Sequence, residues 1–328
     1  MNRRNFRRAA ARLSAVVMAL SGLSVSHADI NKDGKADLLW QNYGYGQIGA
    51  WLLNGSSVTF SSNLSWTCGL GDGCSALWRP VGPIGDSRIL WHNADTGVVS
   101  SWLLSGTTVT GKKDLAATCG KSSGCSQSWK AVGTGNFHSS NYHGGDILWH
   151  NASTGDVGVW FVDDVAVEAH IINWKCGSAD GCSSYWKVVG VSRHPEPPAI
   201  LWHNATTGEL RYWYLADTPS LHPTPPNSIR FPYYTTVLQQ SAPLSWTCGT
   251  AGGCSKAWTV IGLDDVDYDG HDDVIWFNSQ TGEVAAWLLN GTTVKGTLSL
   301  SARCTAASSC STTWYPIGVM TGSTPPVH

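Results

Sequence analysis

Apolar and polar positions follow a pattern that occurs five times along the chain. Each unit has a short apolar segment that ends in Trp, one residue and Asn, as in Ile89-Leu-Trp-His-Asn93. A Gly-containing turn follows, and then a second apolar segment with its own Trp. Short apolar runs bounded by Asn and Gly predict β-strands joined by tight turns, because both residues tolerate positive φ. In one unit the four predicted strands begin at Trp78, Ile89, Val98 and Thr107.

The 18 Trp residues occupy only four positions of this unit. The columns are 40, 91, 149, 202 and 276; 51, 102, 160, 213 and 287; 78, 129, 186, 258 and 314; and Trp66, Trp174 and Trp246. Four strands cannot bury both faces of one sheet, so such units stack around an axis. We therefore predict an all-β protein, a single five-bladed β-propeller domain over residues 29–328, with an open solenoid as the alternative.

The order of the predicted strands indicates how the ring closes. Residue 29 lies just before a second strand, which contains Leu38, whereas the chain ends after a first strand that begins at Trp314. One blade then takes strands from both ends of the domain, which removes an exposed sheet edge. The long interval between Trp202 and Trp276 contains a Pro- and Tyr-rich segment, which predicts an inserted loop over residues 223–242.

Residues 1–28 have the pattern of an export signal. Five Arg precede a short apolar stretch from Leu13 to Val25, and Ser26-His27-Ala28 is a small-x-small cleavage site. Arg3-Arg4-Asn5-Phe6 is similar to the twin-arginine signal, with an ordinary Sec signal as the alternative. We expect a periplasmic or secreted product that begins at Asp29 and does not insert into a membrane.

The net charge of the chain without residues 1–28 bears on the class of partner that it can bind. Removal of residues 1–28 leaves 16 basic against 23 acidic residues, a formal charge of about −7. A nucleic-acid-binding surface needs a basic patch, so this balance argues against a nucleic-acid partner. The chain also has no Gly-x-Ser-x-Gly elbow, and the acidic residues cluster in loops, so no catalytic residue can be nominated from a motif.

The ten Cys residues form five pairs of identical spacing, one in each unit. In an exported chain this arrangement predicts five local disulfides. Zinc is the weaker alternative, because pairs on separate blades cannot bring four ligands together. The pairs are Cys68/Cys74, Cys119/Cys125, Cys176/Cys182, Cys248/Cys254 and Cys304/Cys310.

Two loops carry acidic side chains at alternate positions. One set is Asp265, Asp267, Asp269 and Asp273, and the other is Asp29, Asn31, Asp33 and Asp37. Alternate oxygen ligands around a Gly-containing turn converge on a hard cation such as Ca²⁺. We expect about two Ca²⁺ ions with a structural role, one in each loop. The alternative is a solvated acidic turn.

The run from Asp265 to Asp273 followed by Val-Ile-Trp resembles the FG-GAP/VCBS-type repeat of integrin-α-like bacterial β-propellers, as does the run from Asp29 to Trp40. The resemblance covers residues 29–328. It implies calcium between the first and second strands of a blade, and a role in adhesion or recognition without enzymatic activity. The chain departs from the family by having five units where seven are common, and by its Cys pairs.

These observations favour an exported binding module, lectin-like or adhesive, whose partner is a glycan or a cell-surface protein. Trp66, Trp174 and Trp246 occur in only three units, so packing does not require them, and we expect them to contact the ligand. Aromatic faces stack on sugar rings, and several weak sites provide avidity. A purely structural adhesive protein is a further possibility.

The main alternative is a secreted polysaccharide lyase or hydrolase on a propeller scaffold. His138, His143 and Tyr234 lie in segments that break the repeat, as an active site would. A column of His at 92, 150 and 203 ends three of the second strands, either as metal or sugar contacts or as polar residues that fill the strand end. We favour the second interpretation of this column.

Overall fold

The computed structural model describes residues 30–320 apart from 32, 34, 43–44, 69–77, 85–86, 94, 120–127, 136, 138–144, 152, 177–184, 193–197, 205, 220–233, 249–256 and 305–313. All regular structure in these residues consists of β-strands. Within the same residues, no helix has the length and apolar character needed to cross a membrane. The predicted signal over residues 1–28 lies outside this part of the chain.

The strands form five antiparallel sheets of four strands each. The first contains β1 (Asp37–Asn42), β2 (Gln47–Asn54), β3 (Ser57–Thr67) and β20 (Trp314–Met320). The second contains β4 (Trp78–Pro83), β5 (Arg88–Asn93), β6 (Val98–Ser105) and β7 (Thr108–Thr118). The third contains β8 (Trp129–Gly135), β9 (Asp146–Asn151), β10 (Asp156–Asp163) and β11 (Ala166–Lys175). The fourth contains β12 (Trp186–Ser192), β13 (Ala199–Asn204), β14 (Glu209–Pro219) and β15 (Tyr234–Thr247). The fifth contains β16 (Trp258–Asp264), β17 (Asp273–Asn278), β18 (Glu283–Asn290) and β19 (Thr293–Arg303).

The two ends of the domain meet in the first blade, as the sequence predicts. Its strand order is β20-β1-β2-β3, and β20 pairs antiparallel with β1, with Leu38 opposite Val319 and Gln41 opposite Tyr315. The strands β4, β8, β12, β16 and β20 each contact their counterparts in both neighbouring blades, which completes a ring. The fold is therefore a closed five-bladed β-propeller, and the open solenoid is excluded.

Each seam between neighbouring blades has its own hydrophobic core. Five clusters of buried residues occur, and each combines side chains from two adjacent blades. The Trp of the second strand packs on the Trp of the third strand in every blade, with ring centroids 4.6–4.8 Å apart; the pairs are 40/51, 91/102, 149/160, 202/213 and 276/287. Because one large aromatic side chain buries about 150–250 Å², these columns supply much of the apolar area that holds the blades together.

An Asn and a Gly that recur in each unit form the hairpin between the second and third strands. In the second blade, Asn93 Oδ1 accepts the N–H groups of Asp95 and Thr96. The N–H of Gly97, which has a φ of 75°, donates to the Asn93 carbonyl, and the Cys119 N–H donates to the Gly97 carbonyl. This hairpin is connected in the same way in every blade through Gly46, Gly97, Gly155, Gly208 and Gly282. The turn therefore fixes where the first Cys of each pair lies.

The predicted inserted loop over residues 223–242 is wrong for its C-terminal half. Residues 234–242 belong to β15, which pairs with β14 from Tyr234 opposite Pro219 to Thr247 opposite Glu209. β15 is the outermost strand of its blade, so it tolerates Pro243, which cannot donate a hydrogen bond to a neighbouring strand. Residues 220–233 lie outside the described part of the chain.

Candidate functional site

Three of the predicted metal ligands lie together at one end of the fifth blade. Asp265, Asp267 and Asp269 each place a carboxylate oxygen within 4.8 Å of the other two. They belong to the loop between β16 and β17, where Gly270 has a φ of 86° and Tyr268 a φ of 61°. The N–H groups of Asp269 and Gly270 donate to the Asp265 carboxylate, which closes the loop on itself. The structure thus gathers three acidic side chains on a tightly turned backbone.

A cationic side chain from the following hairpin contacts this acidic cluster. The ammonium of Lys295 pairs with Asp269 and lies 3.8 Å from Asp267 Oδ2. Burial and the neighbouring Asp269 raise the pKa of Asp267. Burial also acts to raise the pKa of Asp269, but its bonds with Lys295 and the His271 N–H hold that pKa below its ordinary value. The three carboxylates therefore repel one another, and the Lys295 ammonium offsets part of this repulsion.

The fourth predicted ligand of this loop has a structural role. Asp273 is fully buried at the start of β17, where its Oδ2 accepts the Val266 N–H (3.1 Å) and its Oδ1 accepts the Leu289 N–H (2.8 Å). Burial raises the pKa of Asp273 to about 7, although both N–H donors act to lower it. The carboxylate thereby joins the loop, β17 and β18. Its part in metal binding stays a prediction.

The same pair of bonds occurs in two other blades. Asp37 accepts the N–H groups of Ile30 and Leu53. Asp146 accepts those of Phe137 and Val162, at 2.8 and 3.1 Å. This role was not predicted from the sequence. Asp146 was a signal for it, since Asp recurs at this position in a blade without the acidic motif.

The first-blade loop shares the backbone pattern of the fifth-blade loop. The Lys35 N–H donates to Asp33 as the His271 N–H donates to Asp269, in both cases at 3.0 Å. Asn31 Oδ1 accepts the Asp33 N–H. Asp29 and residues 32 and 34 lie outside the described residues, so the metal set of this loop stays a prediction.

The fifth-blade loop also contacts the blades on both sides of it. Toward the fourth blade, the Ser192 hydroxyl donates to Asp272 Oδ2 over 2.8 Å in a buried position. Toward the first blade, the Gly55 N–H donates to the Tyr268 hydroxyl over 3.4 Å. A change in the conformation of this loop will therefore affect the seams on both sides of the fifth blade. One of these seams adjoins the first blade, in which the ring closes.

The three Trp predicted to contact a ligand are the most exposed Trp in the described chain. The exposed fraction is 39% for Trp66, 51% for Trp174 and 43% for Trp246. Trp66 lies edge-to-face on Trp102 of the second blade, with centroids 5.7 Å apart, and Trp246 lies in the same way on Trp287 of the fifth blade at 5.6 Å. The two rings thus have the same setting at two different seams.

The His column packs inside the seams. The Nε2–H of His92 donates to the Cys119 carbonyl over 2.8 Å, because a carbonyl can only accept. The His92 ring also lies edge-to-face on Trp149 of the next blade at 5.1 Å. His150 and His203 repeat both contacts. Burial lowers the pKa of all three imidazoles, so they are neutral structural groups.

Only one Cys of each predicted disulfide lies within the described residues. The first Cys of every pair is buried and directly follows the outermost strand of its blade; these residues are Cys68, Cys119, Cys176, Cys248 and Cys304. The second Cys of every pair lies outside the described residues; these are Cys74, Cys125, Cys182, Cys254 and Cys310. The structure therefore gives one end of each predicted bridge, and the pairing itself stays a prediction.

The candidates for catalysis also lie largely outside the described residues. His138 and His143 are not described, and Tyr234 is the first residue of β15. The grouping of these three residues into an active site therefore stays a prediction.

Comparison with known proteins gives structural likenesses at low sequence identity. No protein-family model and no curated protein matches the chain. One similar solved structure is a "putative 6-phosphogluconolactonase" from Bacteroides uniformis, with 11% identity, a TM-score of 0.33, and coverage of 85% of this chain and 71% of that one. Another of the same description, from Bacteroides fragilis, has 12% identity, a TM-score of 0.34, and coverage of 85% and 70%. Likenesses at this level do not transfer an activity.

Proposed function

We propose that this chain is an exported binding protein, which presents aromatic ligand sites at its blade seams and recognises glycans. The observation that supports this most is the repeated setting of Trp66 and Trp246. Each is exposed, yet each ring is held edge-to-face on a buried Trp of the next blade. A fixed and exposed aromatic face suits the apolar face of a sugar ring, and ordering the ring in advance lowers the entropy cost of binding.

The natural repeat supports a role for these Trp other than packing. Ala117 and Ala302 occupy the equivalent position, two residues before the first Cys, in the second and fifth blades. Those blades have the same four-stranded sheet without the aromatic side chain. Three aromatic positions on one ring would also bind a multivalent glycan by avidity, so weak individual contacts suffice.

Replacement of Trp66, Trp174 and Trp246 by Ala tests this function. We expect the wild-type protein to bind glycans on an array, and each single replacement to weaken binding of the best glycan by roughly tenfold, since exposed aromatic contacts dominate such interfaces. The triple variant should lose binding. Titration of the free glycan gives the affinities.

The matched control exchanges Phe60 for Ala, which removes another exposed aromatic side chain of β3 and should leave glycan binding unchanged. Melting temperatures of the single Ala variants should stay close to the wild type, as Ala117 and Ala302 indicate. A wild-type protein that binds no glycan, or a folded triple variant that binds as well as the wild type, would rule the proposal out. Specific binding to a cell-surface protein instead would favour the adhesive alternative.

We also propose Ca²⁺ as the cofactor of the fifth-blade loop. Calcium prefers oxygen ligands at about 2.3–2.6 Å, and three carboxylate oxygens within 4.8 Å of one another can approach one ion at that distance. The Lys295 ammonium is a cation already held by two of the three residues. Asp265, Asp267 and Asp269 would hold the ion, whose charge would offset their mutual repulsion and stabilise the loop.

Calcium should therefore raise the melting temperature of chelator-treated protein. We expect a rise of several degrees at about 100 times the dissociation constant, because ligand binding to the folded state alone contributes about 2.7 kcal/mol there. Replacement of Asp265 by Asn should remove the part of this rise that comes from the fifth-blade loop, whereas replacement of Asp95, an exposed turn residue of another blade, by Asn should not. An equal rise in both variants would contradict the assignment.

A further inference from the structure

The cationic contact on the acidic cluster comes from outside the sequence motif. Lys295 lies near the start of β19, just after the hairpin in which Asn290 pairs with Thr293. Its ammonium contacts Asp269 and lies 3.8 Å from Asp267 Oδ2, so it uses carboxylates of the proposed calcium set. The carboxylate of Asp269 also raises the pKa of Lys295, which keeps the ammonium charged.

From this contact we propose that Lys295 sets the affinity of the fifth-blade loop for calcium, by occupying the cation position and leaving it when calcium binds. The inference rests on the proposed calcium site. An ammonium and a calcium ion cannot share the same carboxylate oxygens, so binding of one releases the other. The exchange is feasible because side chains exposed by about one third, 35% for Lys295 and 30% for Asp269, form only weak ion pairs.

The repeat indicates that Lys295 is not needed for the architecture of the hairpin. The same position is Thr59 in the first blade and Thr110 in the second, each two residues into the last strand. Both hydroxyls donate within their own blade, Thr59 to the Leu52 carbonyl (3.1 Å) and Thr110 to the Leu103 carbonyl (3.2 Å). Thr is therefore a natural replacement at 295 that keeps the hairpin and removes the charge.

The experiment titrates calcium into chelator-treated protein by calorimetry. All variants carry D33N, which weakens the first-blade loop as a second site, so that the fifth-blade loop dominates the signal. We expect K295T to bind calcium roughly two- to fivefold more tightly than the parent, as removal of a weak competing ion pair predicts. K295R keeps the charge and should keep the parental affinity. In chelator, K295T should melt at a lower temperature than the parent, because the carboxylates then repel one another.

The matched control removes another exposed Lys–Asp pair. Lys113 contacts Asp164 at 2.7 Å on different blades, far from the loop in sequence, and K113T should leave calcium affinity unchanged. Equal affinities for the parent and K295T would overturn the role of Lys295 and leave the calcium site standing. Absence of calcium binding by both proteins, with the sheet intact by circular dichroism, would overturn the calcium site and this inference together.

Discussion

Replacement of Asp146 by Asn is expected to lower the free energy of unfolding by about 2–4 kcal/mol, with or without calcium. Asp146 is fully buried, and its two oxygens accept one N–H each from Phe137 and Val162. Asn has the same shape but offers only one acceptor oxygen, and its amide group faces the second N–H as a donor. One buried N–H is then left without a partner, and a charge-assisted bond is lost.

Denaturant unfolding, carried out once in the presence of calcium and once in the presence of a chelator, measures this loss. Asp95→Asn, at an exposed turn position, provides the matched control and should change the free energy by less than about 0.5 kcal/mol. Asp273→Asn should show the same loss in chelator, since Asp273 accepts the equivalent N–H groups of Val266 and Leu289. Recovery of the Asp146 variant by calcium, or stability equal to that of the control, would contradict the structural role.

The architecture was predictable because large Trp side chains recur at fixed positions of the repeat. Trp at fixed positions defines the second, third and first strands of every unit, and the order of strands at residues 29–42 and 314–320 predicts the closing blade. The strand formed by residues 234–242 was missed, because a Pro- and Tyr-rich segment has the composition of a loop. Its pairing depends on a long partner strand, which local composition does not reveal.

The candidate metal centre was predictable only in part. The spacing of Asp265, Asp267 and Asp269 in the motif is local, so the loop gathers them as expected. Motif spacing cannot distinguish a carboxylate that binds a cation from one that accepts backbone N–H groups, which is what Asp273 does. Lys295 is 26 residues from Asp269, and only the pairing of β18 with β19 brings it near.

The exposed aromatic positions were found by an argument from irregularity in the repeat. A residue present in three of five units is dispensable for the common core, and the structure indeed leaves Trp66, Trp174 and Trp246 exposed. The contacts of Trp66 with Trp102 and of Trp246 with Trp287 could not be predicted, because they depend on how the edge strand of one blade approaches the third strand of the next. At the seam of the first and second blades, for example, the Ser65 N–H donates to the Thr107 carbonyl over 3.0 Å.

Replacement of Gly190 by Ala is expected to lower the free energy of unfolding by about 1–3 kcal/mol, as overpacking of a filled core does. Gly190 lies in β12, beside the register shift that follows Val188. A Cβ atom there would lie 2.7 Å from Leu263 Cδ1 and 2.8 Å from its Cγ. Leu263 belongs to β16 of the next blade and is buried, so it can move only by disturbing the seam.

Gly296→Ala is the matched control, because no atom lies within 4 Å of a Cβ built at that position in β19. It should leave stability unchanged or raise it by up to about 1 kcal/mol, since Ala restricts the unfolded chain. Leu263→Ala alone should cost about 2–5 kcal/mol by opening a cavity. If the contact is the cause, the added Cβ partly fills this cavity, and the double variant is more stable than the sum of the two losses predicts. Additive losses would show that the substitution at Gly190 destabilises the protein through its effect on the backbone and not through a contact of the added Cβ with Leu263.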